Sequence, residues 1–221
     1  DRMLNVKNLG KKVLGIPQGL FYWQHKVLWE TFFKELGVRY INSGNTSVNI
    51  IAQGVKHAES ESCFSYKVLY GHIMDLLTKA DVLFLPTYMS MKKGFISCPK
   101  FAGISDVIES SDFNKQIFSP IIDLNKETLE KSLYNIGVAL GSSKEIVKKA
   151  AATSIYELEK KEKQAILIFN SLMSERGKKI IIFAHRYIME DEFINFRIEV
   201  KLRSFGIVPV PIYVVPRIAV N

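Results

Sequence analysis

Cysteine is scarce, with two in 221 residues, so no disulfide framework is available and the fold must be held by packing alone. Low complexity is absent as well. The 7 prolines and 13 glycines are scattered along the chain, which excludes collagen, a Pro-rich spacer and a Gly/Ser linker. The longest apolar runs, such as Val82–Leu85 and Ile180–Phe183, are strand-length and far short of the ~20 residues of a membrane span. No charged start leads into an apolar stretch and a small-residue cleavage site. The expectation is a protein of the reducing cytoplasm with no membrane partner.

What is present is ordinary for a folded protein: 48% apolar and 24% charged residues, in a length that suits one large domain or two small ones. The formal charge of +8 invites a nucleic-acid reading until the charges are located. Residues 1–125 carry 14 Lys+Arg against 11 Asp+Glu, and residues 126–221 carry 16 against 11, so neither half is a basic arm. The densest run, Glu157–Lys163, interleaves both signs as a solvated helix face does. No nucleic-acid partner is expected. A mildly basic surface suits an anionic nucleotide-like ligand or an acidic protein instead.

The order of elements reads as α/β. Val13–Ile16 is a short apolar strand closed by Pro17, which cannot donate within a central ladder. Val27, Leu28, Phe32 and Leu36 recur at helical spacing over 24–36, with Gly37 placed for a left-handed stop. Val38–Ile41 is then a second strand, which completes the β-α-β unit of parallel sheets. Short and long helices are expected over 47–53, stopped at Gly54, and over 64–79. A buried strand over 81–85 follows, ended by Pro86. The connection from Pro86 to Pro99 is long, and the residues 120–126 read as a crossover.

Beyond it the texture changes to long helices. One covers 128–140. A second runs from a capping box, Ser142-x-x-Glu145, to Arg176, about 50 Å of helix, which suits a domain or subunit junction. A strand over 178–183, a helix over 191–204 and a strand over 207–215 then begin a second α/β unit. Two Rossmann-like parallel-sheet domains are therefore expected: residues 1–125 with both cysteines, and 126–221 with the long helices and an incomplete second sheet.

Familiar catalytic signatures are missing. Gly15-Ile16-Pro17-Gln18-Gly19 lacks the third glycine of a dinucleotide site, and no P-loop, Ser elbow or His-Glu-x-x-His pair occurs. The cysteines remain. Cys63 precedes a predicted helix whose N-terminus would stabilise a thiolate, and Lys67 follows it by one turn. Cys98 sits between a loop and Pro99. Each can equally be a small buried hydrophobe, and a separation of 35 residues matches no close zinc or ferredoxin pattern.

Several segments carry a resemblance. They are Val13-Leu14-Gly15-Ile16-Pro17 with Tyr22-Trp23, Trp29-x-x-Phe32-Phe33-x-x-Leu36-Gly37, Ser43-x-x-Thr46, Glu61-x-Cys63-Phe64-x-x-Lys67-x-x-x-Gly71-His72, Cys98-Pro99, and Ala184-His185-Arg186-Tyr187-x-x-x-Asp191-x-x-x-Asn195. Together, over nearly the whole chain, they resemble the uncharacterised domain attached to acyl-CoA dehydratase activases. That domain is in turn similar to the subunits of 2-hydroxyacyl-CoA dehydratases and double-cubane-cluster proteins.

The resemblance implies an oxygen-sensitive 4Fe–4S cluster between two α/β domains, with Cys63 and Cys98 among its ligands. Lys67, His72, Arg186, Tyr187, Asp191 and Asn195 are the candidates for cofactor or substrate contact, beside structural roles: His72 satisfying buried backbone carbonyls, the role put first, Lys67 exposed on its helix, and Arg186 pairing with Asp191 or Glu192. In catalytic relatives an ATP-driven activase passes one electron to the cluster and on to a 2-hydroxyacyl-CoA, so that water leaves through a ketyl radical. An activase domain or subunit, an acyl-CoA-type substrate and a homo- or hetero-oligomer are the partners implied. This chain departs from the pattern at Cys63-Phe64, where Cys-Pro is usual, at His185, where Gly is usual, and in lacking a third cysteine. A non-catalytic docking domain with structural cysteines is the alternative.

Overall fold

The computed structural model describes residues 12–111, 113 and 115–216; residues 1–11 and 217–221, at the outer ends of the two expected domains, lie outside them. Strand β1 (Leu14–Ile16) is buried along its whole length and ends at Pro17. Helix α1 (Phe21–Glu35) starts three residues earlier than its spacing suggests, because Leu20 turns the chain at φ 50°. It closes at Gly37, φ 67°, where the amides of Gly37 and Val38 reach back to the carbonyls of Lys34 and Phe33.

Strand β2 (Tyr40–Asn42) leads to α2 (Val48–His57), whose first turn is capped by the Ser47 hydroxyl, and then to α3 (Phe64–Leu76). Gly54 does not stop α2, as its residue type suggested. It lies inside the helix where α2 crosses α3. A Cβ added at Gly54 would sit 1.8 Å from the Lys67 carbonyl oxygen, and one at Gly71 would sit 1.9 Å from that of Ile50. The glycines are there so that two backbones can touch.

Strand β3 (Val82–Phe84) follows, and past Pro86 the chain forms β4 (Thr87–Ser90) inside what the sequence presented as a long loop. Helices α4 (Pro99–Ala102) and α5 (Ile104–Glu109) lead to β5 (Gln116–Phe118), and past Pro120 to β6 (Ile121–Asp123) in the supposed crossover. Parallel pairing of β3 with β5 resumes as pairing of β4 with β6. Proline lacks the amide that a ladder needs, so each of the two strands is interrupted and then continues. Bonds from the Leu85 amide to Phe118 and from Thr87 to Pro120 bridge the gap.

Helices α6 (Leu129–Ala139) and α7 (Lys144–Ser174) are capped by Thr128 and Ser143; the cap of α7 is Ser143 rather than Ser142. Strand β7 (Lys178–Ile182), short helices α8 (Arg186–Met189) and α9 (Ile198–Ser204), strand β8 (Ile207–Pro211) and a 3-10 turn at Ile212–Val214 complete the order. The helix expected over 191–204 is confined to its last half, because Phe196 and Arg197 adopt left-handed φ values of 53°. The last strand stops at Pro211, ahead of the 3-10 turn, instead of reaching Val215.

The first sheet has the order β2-β1-β3-β5, all parallel, and β7 pairs with β8 in a separate parallel pair. The α/β class with parallel sheets is therefore the observed one. Apolar residues without alternation, such as Val82-Leu83-Phe84, are what strands covered on both faces require. One face carries an aromatic core of Trp29, Phe32, Phe33, Phe84 and Phe118, joined by Leu133 and Ile136 of α6 and by Ala150 and Ala151 of α7. Residues on both sides of position 125 share it. Inside it the Trp29 indole donates to the Tyr88 hydroxyl at 2.7 Å, which settles two polar groups that burial would otherwise orphan. The far end of α7 enters another cluster, through Leu172 against Val208, Val210 and Val214. Among the described residues no helix is long and apolar enough to cross a membrane.

Gly71→Ala should lower stability by about 3 kcal/mol, the upper range for overpacking, because its Cβ meets rigid backbone. Gly44→Ala, where nothing lies within 4 Å, should change it by less than about 0.5 kcal/mol. Urea unfolding of the two variants checks the pair.

Candidate functional site

Cys63 is the residue before the first turn of α3, and Cys98 holds the same position before α4. Both thiols are exposed and unpaired. Lys100 ties the two neighbourhoods together: its ammonium donates to the Ser62 hydroxyl at 2.9 Å, pairs with Glu59 at 3.3 Å and stands 5.4 Å over the Tyr66 ring. The cysteines, 35 residues apart in sequence, thus flank one surface.

Tyr187 of α8 closes that surface. Burial raises its phenol pKa, and the nearby Cys63 and Cys98 raise it further, while the Ser65 hydroxyl beside it acts in the opposite sense. Its ring stacks on His185 at 4.9 Å and meets Phe101 edge-on at 6.4 Å. Tyr66, also near Cys63, is pushed up to about 12, chiefly by burial and then by Tyr70 and Glu59. Two thiols and a phenol drawn from three helices therefore share one aromatic-backed patch. The loop beside Cys98 carries Phe95 and Ile96 outward, 59% and 88% exposed.

Other residues expected at a ligand are engaged within the protein. Lys67 does not turn to Cys63; its ammonium donates to the Ser60 carbonyl at 2.8 Å. Arg186 donates from Nε to Glu190 at 2.6 Å and lies 5.0 Å over the Tyr213 ring, and Lys161 stands 3.7 Å from the same carboxylate. Asn195 builds the turn after α8, donating to the Met189 carbonyl and accepting from the Arg197 amide.

His72 is fully buried inside a relay that crosses the molecule. The Thr46 hydroxyl donates to the Asp191 carboxylate at 2.5 Å, so its oxygen is left to accept from His72 Nε2–H at 2.9 Å. His72 Nδ1 then accepts from the Ser43 hydroxyl at 2.9 Å, and that oxygen accepts from the Gln18 amide. A carboxylate at one end and an amide at the other allow one direction of donation, which assigns the neutral Nε2–H tautomer. Asp191 is further held by the amides of Phe193 and Ile194. Ser43 and Thr46, which complete this relay, stand in the sequence only as a Ser-x-x-Thr spacing, and nothing local marks their partner 145 residues away.

A family model, the CoA enzyme activase uncharacterised domain, matches residues 13–215. The chain belongs to that family. Its cysteine patch, the relay and the parallel sheets described above all fall within the matched span of the activase domain. A search of curated proteins gives no match to it. As a metal site the patch is partial: among the described residues no three potential ligands gather, and the two cysteines are the only ones in the sequence. Most iron–sulfur clusters are held by three or four thiolates, and this patch offers two.

Burial lowers the pKa of His72 to about 4, against the pull of Asp191 and Asp75, and burial brings His25 to about 4 as well. The unfolded chain binds these protons near pH 6.5 and the folded one does not, so stability is full above 6.5 and is lost as pH falls toward 4. Each histidine contributes a slope of up to about 1.4 kcal/mol per pH unit in that window. His72→Gln keeps a donor toward Thr46 and removes one titration. Urea unfolding at pH 7.5 and pH 5 should show the pH-dependent loss reduced by about half in this variant.

Proposed function

We propose that this activase domain supplies two thiolates, Cys63 and Cys98, to an iron–sulfur cluster whose remaining ligands come from a partner polypeptide. The observation that carries the reading is the Lys100–Ser62 hydrogen bond, which brings two exposed cysteines, each at the start of a helix, to one patch. Exposed thiols remain within reach of a second chain, as a shared ligand set requires. When bound, such a cluster supplies single-electron transfer.

The residues of this chain bind and shelter. Cys63 leads into the thirteen-residue helix α3. Tyr187 and Phe101 cover the patch from the protein side, and Lys100 adds a positive charge at its edge. In this reading the domain works in the reducing cytoplasm beside an ATP-driven activase unit. It passes electrons toward a CoA thioester or another small substrate held by the partner enzyme.

One observation favours a simpler role. Phe95 and Ile96, exposed next to Cys98, are suited to contact with another protein, and a docking domain would need no cluster.

Anaerobic reconstitution with ferrous iron and sulfide separates the two. The domain in complex with the polypeptide that co-purifies with it should gain visible absorption and protein-bound iron, and Cys63→Ala or Cys98→Ala should lose most of that iron. Equal iron in wild type and both variants, or none in the wild-type complex, favours docking alone and overturns the cluster.

A further inference from the structure

A large concavity lies away from the cysteines, with neither thiol nor Tyr187 in its lining. It is a cleft of about 720 Å³ between the start of α1, the loop after β2 and the turn that follows α8. That volume falls within the range of sites for small organic ligands.

Aromatic rings form its walls. Trp23 projects from α1, and from the opposite segment come Phe193 and Phe196, 41% and 72% exposed. Rings left this open to water gain by being covered with another flat surface. The backbone is arranged to hold one of them there: Phe196 and Arg197 are consecutive non-glycine residues with φ 53°. Left-handed conformation is unfavourable for a residue with a Cβ, a strain that persists where a site needs it.

Three carboxylates, Glu190, Asp191 and Glu192, and two cations, Arg197 and Lys201, line the cleft, and the carboxylates are already engaged. Glu190 already serves Arg186 and Lys161, and Glu192 pairs with Arg197 at 3.6 Å. Asp191 is saturated by the Thr46 hydroxyl and two amides. These carboxylates are matched inside the protein. Lys201 stands 5.8 Å over the Phe196 ring, and no carboxylate is paired with it among the described residues. Lys201 is therefore the cation left over beside the rings.

We propose that this cleft binds a nucleoside phosphate, its base between Trp23 and Phe196 and its phosphate toward Lys201. A flat base and an anion joined by a sugar match the volume, the exposed rings and the spare cation together. Neither a bare phosphate nor a bare aromatic ring uses all three. The proposal is independent of any cluster at Cys63 and Cys98.

Calorimetric titration of the intact chain with adenosine 5′-monophosphate, adenosine and inorganic phosphate tests it. The monophosphate should bind saturably, adenosine at least tenfold more weakly, and phosphate not measurably. Lys201→Ala, at an exposed side chain, should weaken the monophosphate tenfold and leave adenosine unchanged, while Trp23→Ala should weaken both. Circular dichroism establishes that each variant is folded; if Trp23→Ala is not, Lys201→Ala decides. No saturable binding of the monophosphate, or equal affinity in wild type and Lys201→Ala, overturns the proposal.

Discussion

The neutral imidazole of His72 sets the relation between the two parts of the chain, because each of its nitrogens serves a different segment. Nδ1 fixes Ser43 at the end of β2, and Nε2 fixes Thr46, which in turn holds Asp191 after α8. Asp191 arranges the turn that follows, and Tyr187, four residues before it, faces the cysteines. Burial keeps this imidazole neutral, so Ser43, which accepts from the Gln18 amide, has its own hydrogen free to donate to Nδ1. The relay therefore specifies one arrangement and one protonation state, with little tolerance for partial satisfaction.

Much of the architecture was legible in the sequence. β1 and β3 read correctly because residues apolar on both faces have one common use, the interior of a parallel sheet. The ends of α1 and α7 were legible through Gly37 and a serine cap, signals whose cause lies within a few residues. Gly54 was misread since its reason is distant: the Lys67 carbonyl on α3 touches it, and no property of α2 reveals that. β4 and β6 were missed on similar grounds. Pro86 and Pro120 look like strand ends, and only the pairing of two interrupted strands shows that the ladder continues past them.

The site was legible as residue types more than as geometry. Cys63, Cys98 and Tyr187 were singled out, and both thiols lie near enough to Tyr187 to raise its pKa, but Lys100, whose bond to Ser62 links the segments beside the cysteines, looked like any surface lysine. Arg186, Asp191 and Asn195 were singled out as well, and each makes its strongest bond inside the protein. A sequence displays the donors that a segment owns; whether a donor is free for a ligand depends on what the rest of the chain brings within 3 Å of it.

Helix α7 takes part in two cores. Its 31 residues span roughly 46 Å, with Ala150 and Ala151 seated against α1 and Leu172 seated against β8. It is a lever arm. A tilt of about 10° at the α1 end would swing the other end by about 8 Å over such a length. One ion pair resists that swing at mid-helix, Lys161 to Glu190, whose neighbour Asp191 is itself held by Thr46. A load applied to the outer pair of strands is thereby felt as torque on the segment that carries Tyr187, beside the cysteines.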